Sequence, residues 1–204
     1  EEDSKIDKEG KVLTFETMAD MSIGDKRIGV LKMDVDHLGL IFAIGLETEE
    51  KKDKSKKSIS RVAAMSRGMD WFFGGYINEI CRNVFEEWKV NAHKAGWGDK
   101  ADKIDNIFYI VYSGGDDLLI IGPWSEITKL AKSIRDEFTE YTCNNFDITL
   151  SAGIYLCKPQ FPINIFSKAV GEELEKSKDG GRKSITIFND TVQWTEGVNG
   201  CGFH

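Results

Sequence analysis

Two groups of acidic residues stand in apolar surroundings. The stretch "FYIVYSGGDDLLIIGPW", residues 108–124, is almost wholly apolar except at its centre, where Gly114 and Gly115 precede Asp116 and Asp117. "KMDVDHLG" sets Asp34 and Asp36 at the end of a β-type run, "RIGVLKMDVD". The first stretch reads as a hairpin, with the glycines allowing a tight turn at positive φ. The second reads as a strand that ends in carboxylates. If strand and hairpin are neighbours in one sheet, three or four carboxylates converge, and like charges at low dielectric repel strongly. No Lys or Arg lies within the hairpin to offset them. Divalent cations would do so. Hard oxygen donors suit Mg²⁺ or Mn²⁺, with substrate phosphates completing the shell. The chemistry such a site serves is phosphoryl or nucleotidyl transfer with two ions, one activating a hydroxyl and the other holding a triphosphate. Gly-Gly-Asp-Asp by itself also suits an ordinary surface turn. The long apolar flanks and the matching "DVD" at a strand end favour the site.

A third element is "KSKDGGRKS", where Lys178, Arg182 and Lys183 lie between the last helix and the last strand. These cations are placed to hold triphosphate oxygens if the connection reaches the same end of the sheet. An ordinary basic loop at a helix C-terminus reads the same way.

The elements that must position these residues follow from hydrophobic spacing. "FETMADMS" reads as a short helix that packs Phe15 and Met18. "HLGLIFAIGL" has helical spacing through Leu38, Ile41, Phe42 and Gly45. Val62, Met65, Met69, Phe72, Tyr76, Ile80, Val84 and Trp88 advance by three or four and form one face of a long helix, with a bend or close packing at Gly74 and Gly75. Strands at 106–112 and 117–121 flank the Gly-Gly-Asp-Asp turn. A helix with Ser125 as N-cap follows, burying Ile127, Leu130, Ile134, Phe138 and Tyr141. A strand at 146–156, a helix at 162–178 and a closing strand at 183–188 complete the order. That order contains the ferredoxin-like β-α-β-β-α-β plan. The expectation is an α+β, palm-type domain over residues 14–195, a mostly antiparallel sheet with helices on one face. Residues 1–13 read as a charged tail and 196–204 as a C-terminal tail. The lysine-rich segment 47–58 reads as a solvated loop.

Composition bounds the function classes. The chain has 204 residues, 41% hydrophobic and 30% charged, an ordinary globular balance. Its formal net charge of −7 disfavours general nucleic-acid binding through phosphates. Four scattered cysteines without a CxxC pair point to a reduced, cytoplasmic setting. No apolar run is long enough to span a membrane. The chain does not open with Met and is read as a fragment or a processed chain. Cys201 and His204 in "CGFH" have a ligand-like spacing, but two donors on a tail are read as a loose terminus. His93 reads as a surface histidine.

"GVLKMDVDHLGLIF", "SISRVAAMSRGMDWFF", "IVYSGGDDLLIIGPW" and "ITLSAGI" with its Lys-bearing closing loop resemble the second palm-type domain of the large subunit of type III CRISPR effector complexes, closest to the III-A form. That family is related to polymerase palms, GGDEF-type diguanylate cyclases and nucleotidyl cyclases. The resemblance implies a synthetase that converts ATP to cyclic oligoadenylates when the complex, carrying guide RNA, binds target RNA. It makes Asp34 and Asp116 the leading metal ligands for two Mg²⁺ or Mn²⁺ ions, with the Val35 carbonyl and Asp117 assisting. Ser113, Gly114 and Gly115 line the nucleotide pocket, and Lys178 and Lys183 contact phosphates. Asp36 matches the family box and leaves a structural role open, such as a helix cap. His37 stands where the box commonly has Asn. No His-Asp dipeptide of the family's nuclease domain occurs, so the chain is expected to be one module, working with other subunits, a facing palm or a second copy of itself. The rivals are a diguanylate cyclase, a stand-alone cyclic dinucleotide synthase, and a non-catalytic nucleotide-sensing or assembly module.

Overall fold

The structure is a computed structural model that describes residues 13–42, 59–94 and 97–194. The segment 47–58, Gly45, Cys201 and His204 lie outside these residues. Six strands form one sheet: β1 (Ile28–Val35), β2 (Tyr109–Gly114), β3 (Asp117–Pro123), β4 (Leu150–Cys157), β5 (Ser184–Ile187) and β6 (Asp190–Gln193), in spatial order β2-β3-β1-β4-β5-β6. Among the described residues only β4 and β5 pair in parallel. The first four positions reproduce the β-α-β-β-α-β arrangement, and β5 and β6 extend it beyond β4. β1 is therefore internal, paired along its whole length with β3 on one side and β4 on the other.

The expectation of helices on one face is corrected: both faces are covered. Leu31, Met33 and Val35 of β1 face a layer formed by α3 (Ile59–Trp71), α4 (Ile77–Lys94) and α5 (Trp124–Tyr141). Ile28 and Val30 pack instead on Met18 of α1 (Phe15–Asp20) and on Phe166 and Val170 of α6 (Ile163–Asp179). The physical reason lies in β1 itself, which is apolar at both alternations, as a strand covered on two sides must be. Each fully buried side chain of this kind contributes about 2 kcal/mol. Gly153 of β4 shows how closely α6 sits. A Cβ there would lie 2.9 Å from the carbonyl carbon of Glu173 and the oxygen of Val170.

Between α3 and α4 the chain makes a π-helical turn, Phe72–Tyr76, at the Gly74-Gly75 pair. It rotates Phe72 and Phe73 together into the core, where Phe72 meets the rings of Phe138 at 5.0 Å and Tyr141 at 5.2 Å. Tyr141, expected in the buried stripe of α5, is exposed.

Other boundaries moved for local reasons. Asn106 exchanges hydrogen bonds with the Phe108 backbone, so β2 begins at Tyr109 and not at 106. Cys143 and Asn144 take left-handed backbone, and the Asn145 side chain accepts the Asp147 N–H, so β4 starts at Leu150 and not at 146. Ser125 is not the N-cap of α5. Pro123 occupies that position, while the Ser125 hydroxyl accepts the Ile23 N–H at 3.2 Å. The sequence reading missed β6, which returns from β5 through Phe188 and Asn189, both at positive φ, the pattern of a two-residue I′ turn. Among the described residues no helix is long and apolar enough to cross a membrane.

Candidate active site

The pairing of β1 with β3 sets Asp34 directly opposite Asp117. Opposed residues share a face of the sheet, so the two carboxylates stand side by side on the face that carries α6. Asp116 occupies the second position of the two-residue turn, after Gly115 at φ +66°. The carbonyl of Asp116 accepts the Val35 N–H at 3.0 Å, which clamps the hairpin tip to the end of β1. Gly114 has no positive φ; its absent side chain leaves open space beside the turn.

A cation enters this cluster from the last turn of α6. The Lys178 ammonium lies 3.0 Å from Asp34 Oδ1 and 3.6 Å from Glu175 Oε1. Burial raises the Asp34 carboxyl above its ordinary range. Lys178 opposes that rise, and the charges of Asp116 and Asp117 add to it. Burial alone would lower Lys178, yet Asp34 and Glu175 together hold it above its usual value. The rise at Asp34 is mainly a cost of burial, while that at Lys178 reflects the carboxylates around it; among the described residues Lys178 is the cation paired with Asp34, and it faces Glu175 as well. Tyr112 Oη donates to Asp117 Oδ2 at 3.1 Å. Burial, then the Asp117 charge, pushes the Tyr112 hydroxyl up to about 12, so it stays a donor at neutral pH.

The donors suit a hard divalent cation. Among the described residues no three His, Cys, Asp or Glu side chains close a metal cage by themselves. Carboxylates on adjacent strands, a quarter-exposed Asp34 and a deficit of positive charge match Mg²⁺, which takes one or two carboxylates and completes its shell with water and phosphate.

Asp36 is placed apart from this cluster. It is buried, and its carboxylate accepts hydrogen bonds from the Thr149 hydroxyl (2.7 Å), the Ser151 hydroxyl (2.6 Å) and the Lys183 N–H (3.1 Å). It is a structural junction and caps no helix. His37 follows in left-handed backbone and opens the short α2 (Leu38–Leu40) without a side-chain cap. The Lys183 ammonium sits over the Phe146 ring, 5.7 Å from its centre, while Lys178 alone of the expected lysines pairs with Asp34. The Ser113 hydroxyl is committed to the Phe73 carbonyl of the π-helical turn at 2.6 Å. Beyond the 181–183 loop lies a cleft of about 580 Å³, lined by His37, Leu40, Ile41, Met65, Phe146 and Lys183 among others, within the size range of a small-molecule site.

The sequence reading overlooked Tyr112, Thr149 and Ser151. Two small hydroxyl residues at alternate positions of "ITLSAGI" were the available signal for the Asp36 junction. For Tyr112 the strand alternation pointed to the wrong face, because the β2–β3 pairing slips by one residue between Ile110 and Tyr112.

A mostly antiparallel sheet presenting carboxylates from a central strand and a neighbouring hairpin tip defines a palm-type domain. A family profile described as Cas10/Cmr2, second palm domain, matches residues 27–186. The chain belongs to this family. It is 39% identical over 204 residues to the CRISPR system single-strand-specific deoxyribonuclease Cas10/Csm1 (subtype III-A) of Methanocaldococcus jannaschii, covering 91% of this chain and 23% of that protein. It is 35% identical over 184 residues to the protein of the same description from Thermococcus onnurineus, covering 90% and 21%. Among solved structures, a Csm1-Csm4 cassette in complex with cA4 superposes with a TM-score of 0.68 at 33% identity, covering 89% of this chain and 23% of that one. A Csm1-Csm4 cassette in complex with one ATP gives 0.67 at 34%, with the same coverage. The chain thus spans less than a quarter of the length of the relatives it matches.

Proposed function

We propose that this chain is the nucleotidyl-transferring palm of a type III CRISPR effector subunit, and that it joins ATP into cyclic oligoadenylates. The observation that carries the reading is the placement of Asp34 opposite Asp117, with Asp116 at the adjoining turn. The solved neighbours whose names include ATP, AMPPNP, pppApA, cA3 and cA4 support a substrate, an intermediate and products of this class.

In this reading Asp34, Asp116 and Asp117, with the Val35 carbonyl, hold two Mg²⁺ or Mn²⁺ ions. Bound there, the ions supply the positive charge the site lacks and lower the pKa of an attacking ribose hydroxyl. Lys178 turns from Asp34 toward the triphosphate. Gly114 and Gly115 leave room for the nucleotide against the hairpin, and Ser113 fixes that hairpin on the helix layer. Lys183 and the adjoining cleft take more distant parts of the nucleotide. A ribose hydroxyl of one ATP attacks the α-phosphorus of the next, the bond to the β-phosphate oxygen breaks, and pyrophosphate leaves. Positioning and charge neutralisation carry the catalysis, with no separate protein base. No deoxyribonuclease activity is proposed for this chain, in which no His-Asp dipeptide of the family's nuclease type occurs. The partners are the other subunits of a type III complex with guide and target RNA, and a facing palm.

The test is incubation with each of the four NTPs and Mg²⁺ or Mn²⁺, for this chain alone and within its assembled complex with target RNA, with products identified by mass spectrometry. Oligoadenylates that vanish on Asp116→Ala with Asp117→Ala are expected. Product from GTP instead moves the chain to the diguanylate cyclase branch. ATP binding without product in any arm overturns the synthetase and leaves a sensing or assembly module.

A further inference from the structure

The slip in pairing between Ile110 and Tyr112 is a β-bulge, and it re-aims two side chains at once. Ile110 lies opposite Ile120, but Tyr112, rather than Val111, lies opposite Leu119. Without the extra residue Tyr112 would pair with Leu118 and turn into the helix layer with Ile120. With it, Tyr112 shares the face of Leu119, Asp117 and Asp34, and Ser113 takes the helix-layer side, where it reaches Phe73. The bulge thus delivers a phenol to the carboxylate face and anchors the strand from the other side.

What the phenol does there follows from geometry. It donates to one oxygen of Asp117, Oδ2, and among the described residues no other side chain hydrogen-bonds that carboxylate. A carboxylate oxygen that already accepts a hydrogen bond has one lone-pair site fewer and its charge partly met, so Asp117 offers a cation Oδ1 more readily than both oxygens together. Monodentate donors suit the small octahedral Mg²⁺ ion, whereas Ca²⁺ gains from bidentate carboxylates and a larger shell.

We propose that Tyr112, aimed by the β2 bulge, is the positioning residue that keeps Asp117 monodentate and so biases the site toward Mg²⁺ over Ca²⁺. This rests on the metal-dependent reading of the site given above. Outer partners of metal ligands commonly alter cation affinity by tenfold or more when removed.

The test measures cation binding, not turnover. Mn²⁺ is bound to the chain in the presence of a non-hydrolysable ATP analogue and followed by electron paramagnetic resonance, with Mg²⁺ and Ca²⁺ as competitors. Tyr112→Phe keeps the ring and removes the donor, and a thermal melt matching the parent shows that its fold is retained. The expected result is a shift of the Mg²⁺/Ca²⁺ affinity ratio toward Ca²⁺ on the order of tenfold. An unchanged ratio in Tyr112→Phe, with Mn²⁺ binding still lost in Asp117→Asn, overturns the role of Tyr112 and leaves the metal site standing. Mn²⁺ binding that is absent in the parent chain, or indifferent to both Asp34→Asn and Asp117→Asn, overturns the metal site and Tyr112's role with it.

Discussion

The carboxylate of Asp36 holds the backbone N–H of Lys183 at 3.1 Å, across 147 residues of sequence. With the Thr149 and Ser151 hydroxyls on the same carboxylate, this junction ties the end of β1 to β4 and to the loop that follows α6. Replacing Asp36 by Ala leaves three donors without their partner, the Ser151 hydroxyl in a fully buried place and the Thr149 hydroxyl and Lys183 N–H in part-buried ones. The expected loss is about 2–4 kcal/mol of stability, read from urea unfolding. Asp36→Asn should lose less. Neither change touches the Asp34–Asp117 pair, so Mn²⁺ binding should persist in whatever fraction remains folded.

In the metal-dependent reading, Lys178 and a bound cation would compete for the same negative charge. Lys178→Met should therefore tighten Mn²⁺ binding while weakening that of the ATP analogue. Each effect should be about fivefold, corresponding to the roughly 1 kcal/mol expected of a part-exposed charge pair. Calorimetry of the two ligands separately checks the opposite signs. Weakening of both would mean that the lysine supports the fold of the site and not its charge balance.

Gly153 tests the second helical layer. A methyl group there meets the α6 backbone, so Gly153→Ala should destabilise by about 1–3 kcal/mol through a forced backbone shift. The melting temperature reads the change. A neutral result would show that α6 moves away from the sheet without loss.

Cys81 and Cys157 provide a pH readout. Burial pushes the Cys81 thiol up to about 12. At Cys157 burial outweighs the nearby Arg27 and gives about 11. The thiolate is the reactive form, so at pH 8 alkylation mapped by mass spectrometry should modify exposed Cys143 first and spare both buried thiols. The linkage has a definite sign. Unfolded thiols ionise near the ordinary value of 9 while the folded ones keep their protons, so stability is unaffected well below pH 9 and falls as pH rises from there through about 11 to 12.

The carboxylates were legible because they interrupt apolar strands, where a charge needs a reason. The hairpin and most of the helical stripes were legible because their periods hold over many residues, though Val62, Tyr76 and Tyr141 of those stripes are exposed. The second helical layer was carried by β1, whose two apolar alternations a one-faced sheet does not need. Tyr112 was hidden by a single-residue slip in pairing, which reverses every side chain beyond it and leaves no mark in the composition. Ser125 looked like a cap because its type is right. Its hydroxyl was taken by the Ile23 N–H, from a segment remote in sequence.

The internal position of β1 bears on how the domain opens. Asp34 rides on a strand hydrogen-bonded on both edges, so its neighbourhood separates from the sheet only when β3 or β4 does. Asp116 rides on a turn at the sheet's end. Deuterium exchange should be slowest across Val30–Met33, with protection near that of global unfolding, and fast at Gly115. One wall of the candidate site is then expected to be as durable as the whole domain, while the turn, held to β1 by the Val35 N–H bond to the Asp116 carbonyl, is expected to open locally with the core intact.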